Sequence, residues 1–410
     1  MIKKITHTLL ARHHFWRYAS FTELNELYVS NMLRVIAGSL FGIFVPVYML
    51  SSGYSIVAIC MYFVLYFVVR ALADIPTAYI VAYIGPKHAW ILSHLASIAS
   101  LICLLGIESR PWLFWLSAVF SAWCASLMWI PLHVDFSKIK DTEHNGKEQS
   151  FMMILQKVGG AAGPLLGGYI AATYGPQLTI IVSIVIYTLS LIPILSTPEQ
   201  VQTRQKIQIK GFPFKRIKRD IVSHAAQAVD ATVSNSMWPL FLTLAVFTST
   251  AGYEEIGFAS TLSLIAAISI TYMYGRILDG RHPLALLRLT TVANSLVYVA
   301  RIFTKNILGV VMTNIGNESA FTGQWMATNK GMYSAVDDLP GYRIAYFTVL
   351  QVTGEGVKAL IWILLALLTY FVSDIGAIQI CFAVTGLVSL LVLVERYKVL
   401  RPRTSKRLLQ

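Results

Sequence analysis

Four ionisable residues, Asp230, Glu318, Glu355 and Lys358, stand inside stretches that are otherwise apolar. Burial disfavours the charged form of a carboxylate, so a carboxylate in such a place can take up and release a proton. Glu318 is the first candidate for a proton carrier, Glu355 the second and Asp230 the third. Lys358 follows Glu355 by three residues, so on a helix the two share a face. That pairing would neutralise Glu355, and it reads equally well as a strut that holds helices together. Asn314, Asn317 and Gln324 accompany Glu318, and Gln351 accompanies Glu355. Lipid-facing positions do not carry this many polar groups, so these segments are expected to line a hydrated cavity. Trp238, which precedes Pro239, and Trp325 are candidates for its wall. Interfacial belts and packing are the plainer reading of both.

A second set lies earlier in the chain: Arg34, Arg70, Asp74, Asp135 and Lys157, with Gln156 beside the last. Arg70 and Asp74 are four residues apart and are expected to pair with each other. Arg34 and Lys157 have no partner in their own segments. Two cations facing one cavity attract an anionic group. Snorkelling of both to lipid headgroups is the alternative.

The elements that position these residues follow from composition. Of 410 residues, 56% are hydrophobic and 13% charged, where a soluble domain carries about a quarter charged. Apolar segments of about 20 residues, enough to cross a bilayer, recur twelve times. They fall near 28–51, 55–83, 88–107, 112–136, 150–174 and 177–197, then 221–248, 254–275, 284–304, 306–331, 345–372 and 375–396. The fold class is therefore all-α membrane protein, with about twelve transmembrane helices in two six-helix bundles. The organisation predicted is an interfacial segment over 1–27, a first bundle over 28–197, a basic linker over 198–220, a second bundle over 221–396 and a basic tail over 397–410.

The formal net charge of +13 is not spread evenly. Lys3, Lys4, Arg12 and Arg17 precede the first span, and Lys87, Lys138, Lys140 and Lys147 occupy the next even-numbered connections. The run RQKIQIKGFPFKRIKR fills the middle, and RYKVLRPRTSKR closes the chain. The odd-numbered connections nearly lack cations. This asymmetry predicts that both termini and the basic connections are cytoplasmic, in the cytoplasmic membrane of a prokaryote. It excludes nucleic acid as a partner, because the cations spread along one membrane face. Cys60, Cys103, Cys124 and Cys381 fall inside spans at spacings that match no metal motif, and read as small apolar residues. The N-terminus shows no cleavable signal peptide.

Lys157 also opens the stretch KVGGAAGPLLGGYI, in which Gly159 and Gly163, then Gly163 and Gly167, have small-xxx-small spacing. That spacing lays a smooth stripe on one helix face where another helix can come close. Pro164 frees a backbone carbonyl and permits a bend. A gate that opens or seals a cavity is one reading, and plain close packing is the other. Farther on, Gly275, Asp279 and Arg281 stand in GRILDGR, a short basic turn after the eighth span.

The layout of six spans, basic linker and six spans resembles the major facilitator superfamily over nearly the whole chain. GRILDGR is similar to that family's signature loop, which implies that Gly275, Asp279 and Arg281 help lock one conformation. The first-half copy is degenerate, with Ala78 and Ala82 where the glycine and the acid would stand. Gly159, Gly163, Pro164, Gly167 and Gly168 resemble the fifth-span motif of the family's antiporters, which points towards export. FSAWCASLMWI in the fourth span lacks the family's arginine.

No phosphate-binding glycine loop, His-Glu-x-x-His motif or nucleotide fingerprint occurs, so no enzyme activity, cofactor or metal is expected. The expected partners are a small-molecule substrate, membrane lipids and a coupling proton. The leading reading is a secondary transporter of a small organic solute, working by alternating access and driven by proton exchange. A translocator of lipid between leaflets, using Arg34 and Lys157 on a phosphate, is a second reading. A sensor or scaffold that keeps a transporter fold is a third.

Overall fold

The structure is a computed structural model and describes residues 21–139, 145–195, 207–247, 252–280 and 282–401. Residues 1–20 of the interfacial segment, residues 198–206 of the basic linker, residues 402–410 of the tail and Arg281 lie outside the described residues, as does the side chain of Asp135.

In the first half, α1 (Phe21–Phe41) passes through a 3₁₀ turn, Gly42–Phe44, into α2 (Val45–Ser51), and the three pieces form one span. It is followed by α3 (Ile56–Ile84), α4 (Pro86–Leu105), α5 (Trp112–Ile139), α6 (Asn145–Tyr174) and α7 (Pro176–Leu195). In the second half, α8 (Phe214–Thr232) runs through a π turn, Val233–Met237, into α9 (Trp238–Ala245). Then come α10 (Tyr253–Asp279), α11 (Pro283–Ile302), α12 (Ile307–Ala335), α13 (Arg343–Leu368) and α14 (Asp374–Ser389), the last extended by a 3₁₀ turn over Leu390–Val394. The architecture is the expected twelve spans in two six-helix bundles.

Helix starts follow local chemistry. The hydroxyl of Ser55 accepts from the Ala58 amide at 3.2 Å, and the Asn306 side chain accepts from the Gly309 amide at 2.8 Å. Each such cap satisfies an amide that has no partner within its own helix. Pro86 and Pro283 sit in the first turns of α4 and α11, where the missing N–H costs nothing. The helix that leads into the seventh span begins at Phe214, so KRIKRD forms its first turns.

Among the described residues, nine spans are long and apolar enough to cross a membrane by length and composition alone. The three that fall short are α6, α8–α9 and α12. They carry Lys157, Asp230 and Glu318. The halves meet along two seams, α6 against α10 and α3 against α13. Two apolar clusters, one towards each membrane face, enclose a polar middle layer. Outward-facing Leu72, Leu308 and Leu387 are more than 60% exposed, as suits contact with lipid tails.

Candidate functional site

A cavity of about 440 Å³ lies between the halves. Its walls come from the first, second and fourth spans on one side and the seventh, tenth and eleventh on the other. The sequence placed it against the seventh, tenth and eleventh spans; the first half supplies the rest. Phe63, Phe67, Trp129 and Trp325 give it apolar faces, and Gln227, Asn235, Asn329 and Gln351 give it hydrogen-bonding groups.

Among the described residues, the charged ones that line the cavity are both cations, Arg70 and Lys358. They share one oxygen: Arg70 Nη2 lies 3.1 Å and Lys358 Nζ 2.9 Å from Glu355 Oε1. Arg70 Nη2 also donates to Gln351 Oε1 at 3.4 Å. Glu355 is 1% exposed and stands behind the cations, and its second oxygen has no hydrogen-bond partner among the described residues. Arg70 therefore pairs across the seam with Glu355 and not, as spacing suggested, with Asp74. Asp74 instead accepts from the Ser126 hydroxyl at 2.6 Å, inside the first half. Side chains four apart on a helix are only neighbours; a bonding partner on the facing helix displaces that pairing.

His133 and His224 line the cavity, and His133 joins the halves towards the face that carries the basic connections. His133 Nδ1 lies 2.9 Å from the Tyr333 hydroxyl, and its ring stacks on Phe347 at 5.5 Å. Beyond it, Arg343 Nη1 donates to the Ser137 carbonyl at 2.6 Å. On the opposite side, Phe63 stacks on Trp362 at 4.3 Å, and the Ser51 and Tyr253 hydroxyls are 3.3 Å apart. The halves thus touch on both sides of the cavity.

Three sequence candidates form a separate contact. Lys157 on α6 hydrogen-bonds and ion-pairs with Glu318 on α12, joining the two halves; neighbouring Gln156 is half-buried and does not line the cavity. Arg34 lies elsewhere, buried inside the first half with Nη2 3.8 Å from Cys124 Sγ. Arg34 and Lys157 do not face one cavity, which removes the paired cations on which the lipid reading relied.

Asp230 belongs to a network within the second half. Its carboxylate accepts from Tyr298 and Asn294, and Asn317 Nδ2 donates to Asn294 Oδ1 at 2.9 Å. Arg301 Nη1 donates to Ser234 at 3.0 Å, and its guanidinium lies 4.5 Å from the Trp238 ring centre. Trp238 donates to Asn314 Oδ1 at 2.7 Å. Trp238, Asn314, Asn317 and Asp230 therefore pack this network and do not line the cavity. Sequence reasoning missed Arg301, His133 and His224. Arg301 was detectable as a charge at the end of the ninth span; the histidines gave no signal before the fold placed them.

The fifth-span glycines face two neighbours. A Cβ at Gly163 or Gly167 would overlap Ser39 or the Leu40 carbonyl of α1. A Cβ at Gly168 would overlap the Tyr253 carbonyl of α10, and one at Gly257 would overlap the Pro164 carbonyl. Gly159 sits against Met32, at 3.2 Å from a Cβ built there. Backbone-to-backbone contact is what these glycines permit, within the first half and across the seam. Gly275 is buried in α10, and Asp279 at its end pairs with Lys330 of α12 at 2.8 Å.

The sequence profile of the Major Facilitator Superfamily matches residues 27–356. The chain belongs to the Major Facilitator Superfamily. Solved structures of similar fold include the human organic anion transporter MFSD10 (TETRAN), at TM-score 0.65 and 12% identity over 91% of this chain and 99% of that one. The E. coli fucose:proton symporter FucP aligns at TM-score 0.63 and 11% identity, over 91% and 99%. A bacterial homologue of the iron transporter ferroportin, in its outward-facing state, aligns at 0.63 and 12%, over 90% and 99%. No curated protein sequence matches this chain. Membership makes this superfamily chain a multi-pass membrane transporter and not an enzyme.

Proposed function

We propose that this protein is a secondary transporter of a small organic anion with an apolar part, exchanged for protons by alternating access at the central cavity. The observation that carries the reading is the cavity's polarity: Arg70 and Lys358 line it, while Glu355 and Asp74 are buried behind them. A carboxylate or similar group meets both cations, and Phe63, Phe67 and Trp325 take the apolar body. The titrating group proposed is Glu318. Protonation removes the counter-charge of Lys157 and loosens the link between α6 and α12. The glycine motif favours outward movement, and the basic face is read as cytoplasmic, with both termini there.

The test is a thermal-shift screen of purified protein with organic anions, cations and neutral analogues at two pH values. Binding to the folded state raises apparent stability. Anions are expected to stabilise the wild type, and Lys358→Gln to lose most of that shift. Stabilisation by cations alone would reject the anionic reading. A separate expectation concerns coupling: Glu318→Gln abolishes pH-driven flux in proteoliposomes but leaves substrate exchange measurable. Retained pH-driven flux in that variant removes Glu318 from the mechanism.

A further inference from the structure

A second cavity, of about 420 Å³, lies on the basic face of the second half, away from the solute cavity. It is walled by the first turns of α8, the end of α12 with the connection to α13, and the chain after α14. Six cations line it, Lys215, Arg216, Lys218, Arg219, Arg396 and Lys398, against two carboxylates, Asp220 and Asp338.

The carboxylates leave much of this charge unanswered. Asp220 accepts from the Tyr346 hydroxyl at 3.0 Å. Asp338 binds Arg216 at 3.1 Å and Lys398 at 3.0 Å; the Lys398 ammonium holds its carboxyl below the usual range. Lys215, Lys218 and Arg396 are exposed and make no ion pair among the described residues. The walls are fixed. The Tyr397 ring rests on Gly331, where a Cβ would overlap it. The Tyr397 amide donates to buried Glu395 at 2.5 Å, and Arg401 Nη2 donates to the Glu395 carbonyl at 2.9 Å.

Scattered basic residues suffice to orient a membrane protein. A concave pocket of hundreds of cubic ångströms with convergent donors is the form of a ligand site. We infer that this cavity binds a phosphorylated anion, which fastens the start of α8 and the chain after α14 to the end of α12. A multivalent phosphate matches the excess of Lys and Arg donors, and charge-assisted hydrogen bonds supply the affinity. The phosphate comes either from a soluble compound or from the headgroup of an anionic lipid in the inner leaflet.

The experiment titrates full-length protein in neutral detergent with pyrophosphate, and separately with mixed micelles containing phosphatidylglycerol or phosphatidylcholine. Thermal unfolding is read at constant ionic strength. Saturable stabilisation by pyrophosphate identifies a soluble source, and stabilisation by phosphatidylglycerol but not phosphatidylcholine identifies a headgroup; either supports the site. The triple variant Lys215→Gln, Lys218→Gln, Arg396→Gln is expected to weaken the effect at least about tenfold. Ser334→Leu fills the cavity from its wall while keeping every cation, and is expected to weaken it likewise. No saturable shift with either probe overturns the proposal. So does an equal shift in wild type and both variants, provided each variant elutes as a single species.

Discussion

Glu355→Gln is expected to cost more than any other single replacement of a charged residue in this protein. The change keeps the shape of the side chain and strips buried Arg70 and part-buried Lys358 of their shared oxygen anion. Removing one partner of a buried ion pair costs about 3–5 kcal/mol, because an uncompensated charge remains in a poorly solvated place. Solute transport should be lost and the unfolding temperature should fall. The double variant Glu355→Gln, Lys358→Met removes one orphaned cation, so it should regain part of the stability and none of the transport. Thermal unfolding, with uptake measured on the same preparations, checks both parts. Wild-type stability in the single variant would mean that Glu355 is not the centre of this cluster.

Adding one methyl group to the fifth span should have a comparable effect, by a different route. At Gly167 the new carbon meets the Leu40 carbonyl inside the first bundle; at Gly168 it meets the Tyr253 carbonyl across the seam. Neither neighbour is a side chain that can turn away. Overpacking of this kind costs about 1–3 kcal/mol. Gly167→Ala should therefore lower the unfolding temperature. Gly168→Ala should separate α6 from α10 near the Ser51–Tyr253 contact and slow turnover. A cysteine at cavity position Asn235, in a background without the four native cysteines, should then react several times faster with a membrane-impermeant maleimide. Unchanged turnover and labelling in Gly168→Ala would leave these glycines as packing and not as a gate.

The two cases show what a linear sequence does and does not disclose. Twelve spans were legible because each must bury about 20 residues in hydrocarbon. The glycine stripe was legible because small-xxx-small spacing is a property of one helix. The partner of Arg70 was not. Spacing reports neighbours on the same helix and favoured Asp74, whereas Glu355 lies 285 positions away. The pairing of Lys157 with Glu318 was hidden for the same reason. Depth in a span does not fix direction either: polar Asn314 and Asn317 in a span must face something polar, but this need not be the cavity, and the same holds for Asp230 and Trp238. They face one another, through Tyr298, Asn294 and the π turn at Val233–Met237. His133 and His224 carry no pattern at all until the halves are brought together around the cavity.

The central claim is that an organic anion binds between the halves on Arg70 and Lys358. Counterflow in proteoliposomes tests it most directly, because exchange of labelled for unlabelled solute needs binding and the alternation of the halves but no ion gradient. Liposomes loaded with an anion that stabilises the wild type are predicted to take up the labelled compound, and Lys358→Gln, folded and reconstituted equally, to do so at least about tenfold more slowly. Counterflow undiminished by Lys358→Gln, or sustained only by cationic solutes, would contradict the account.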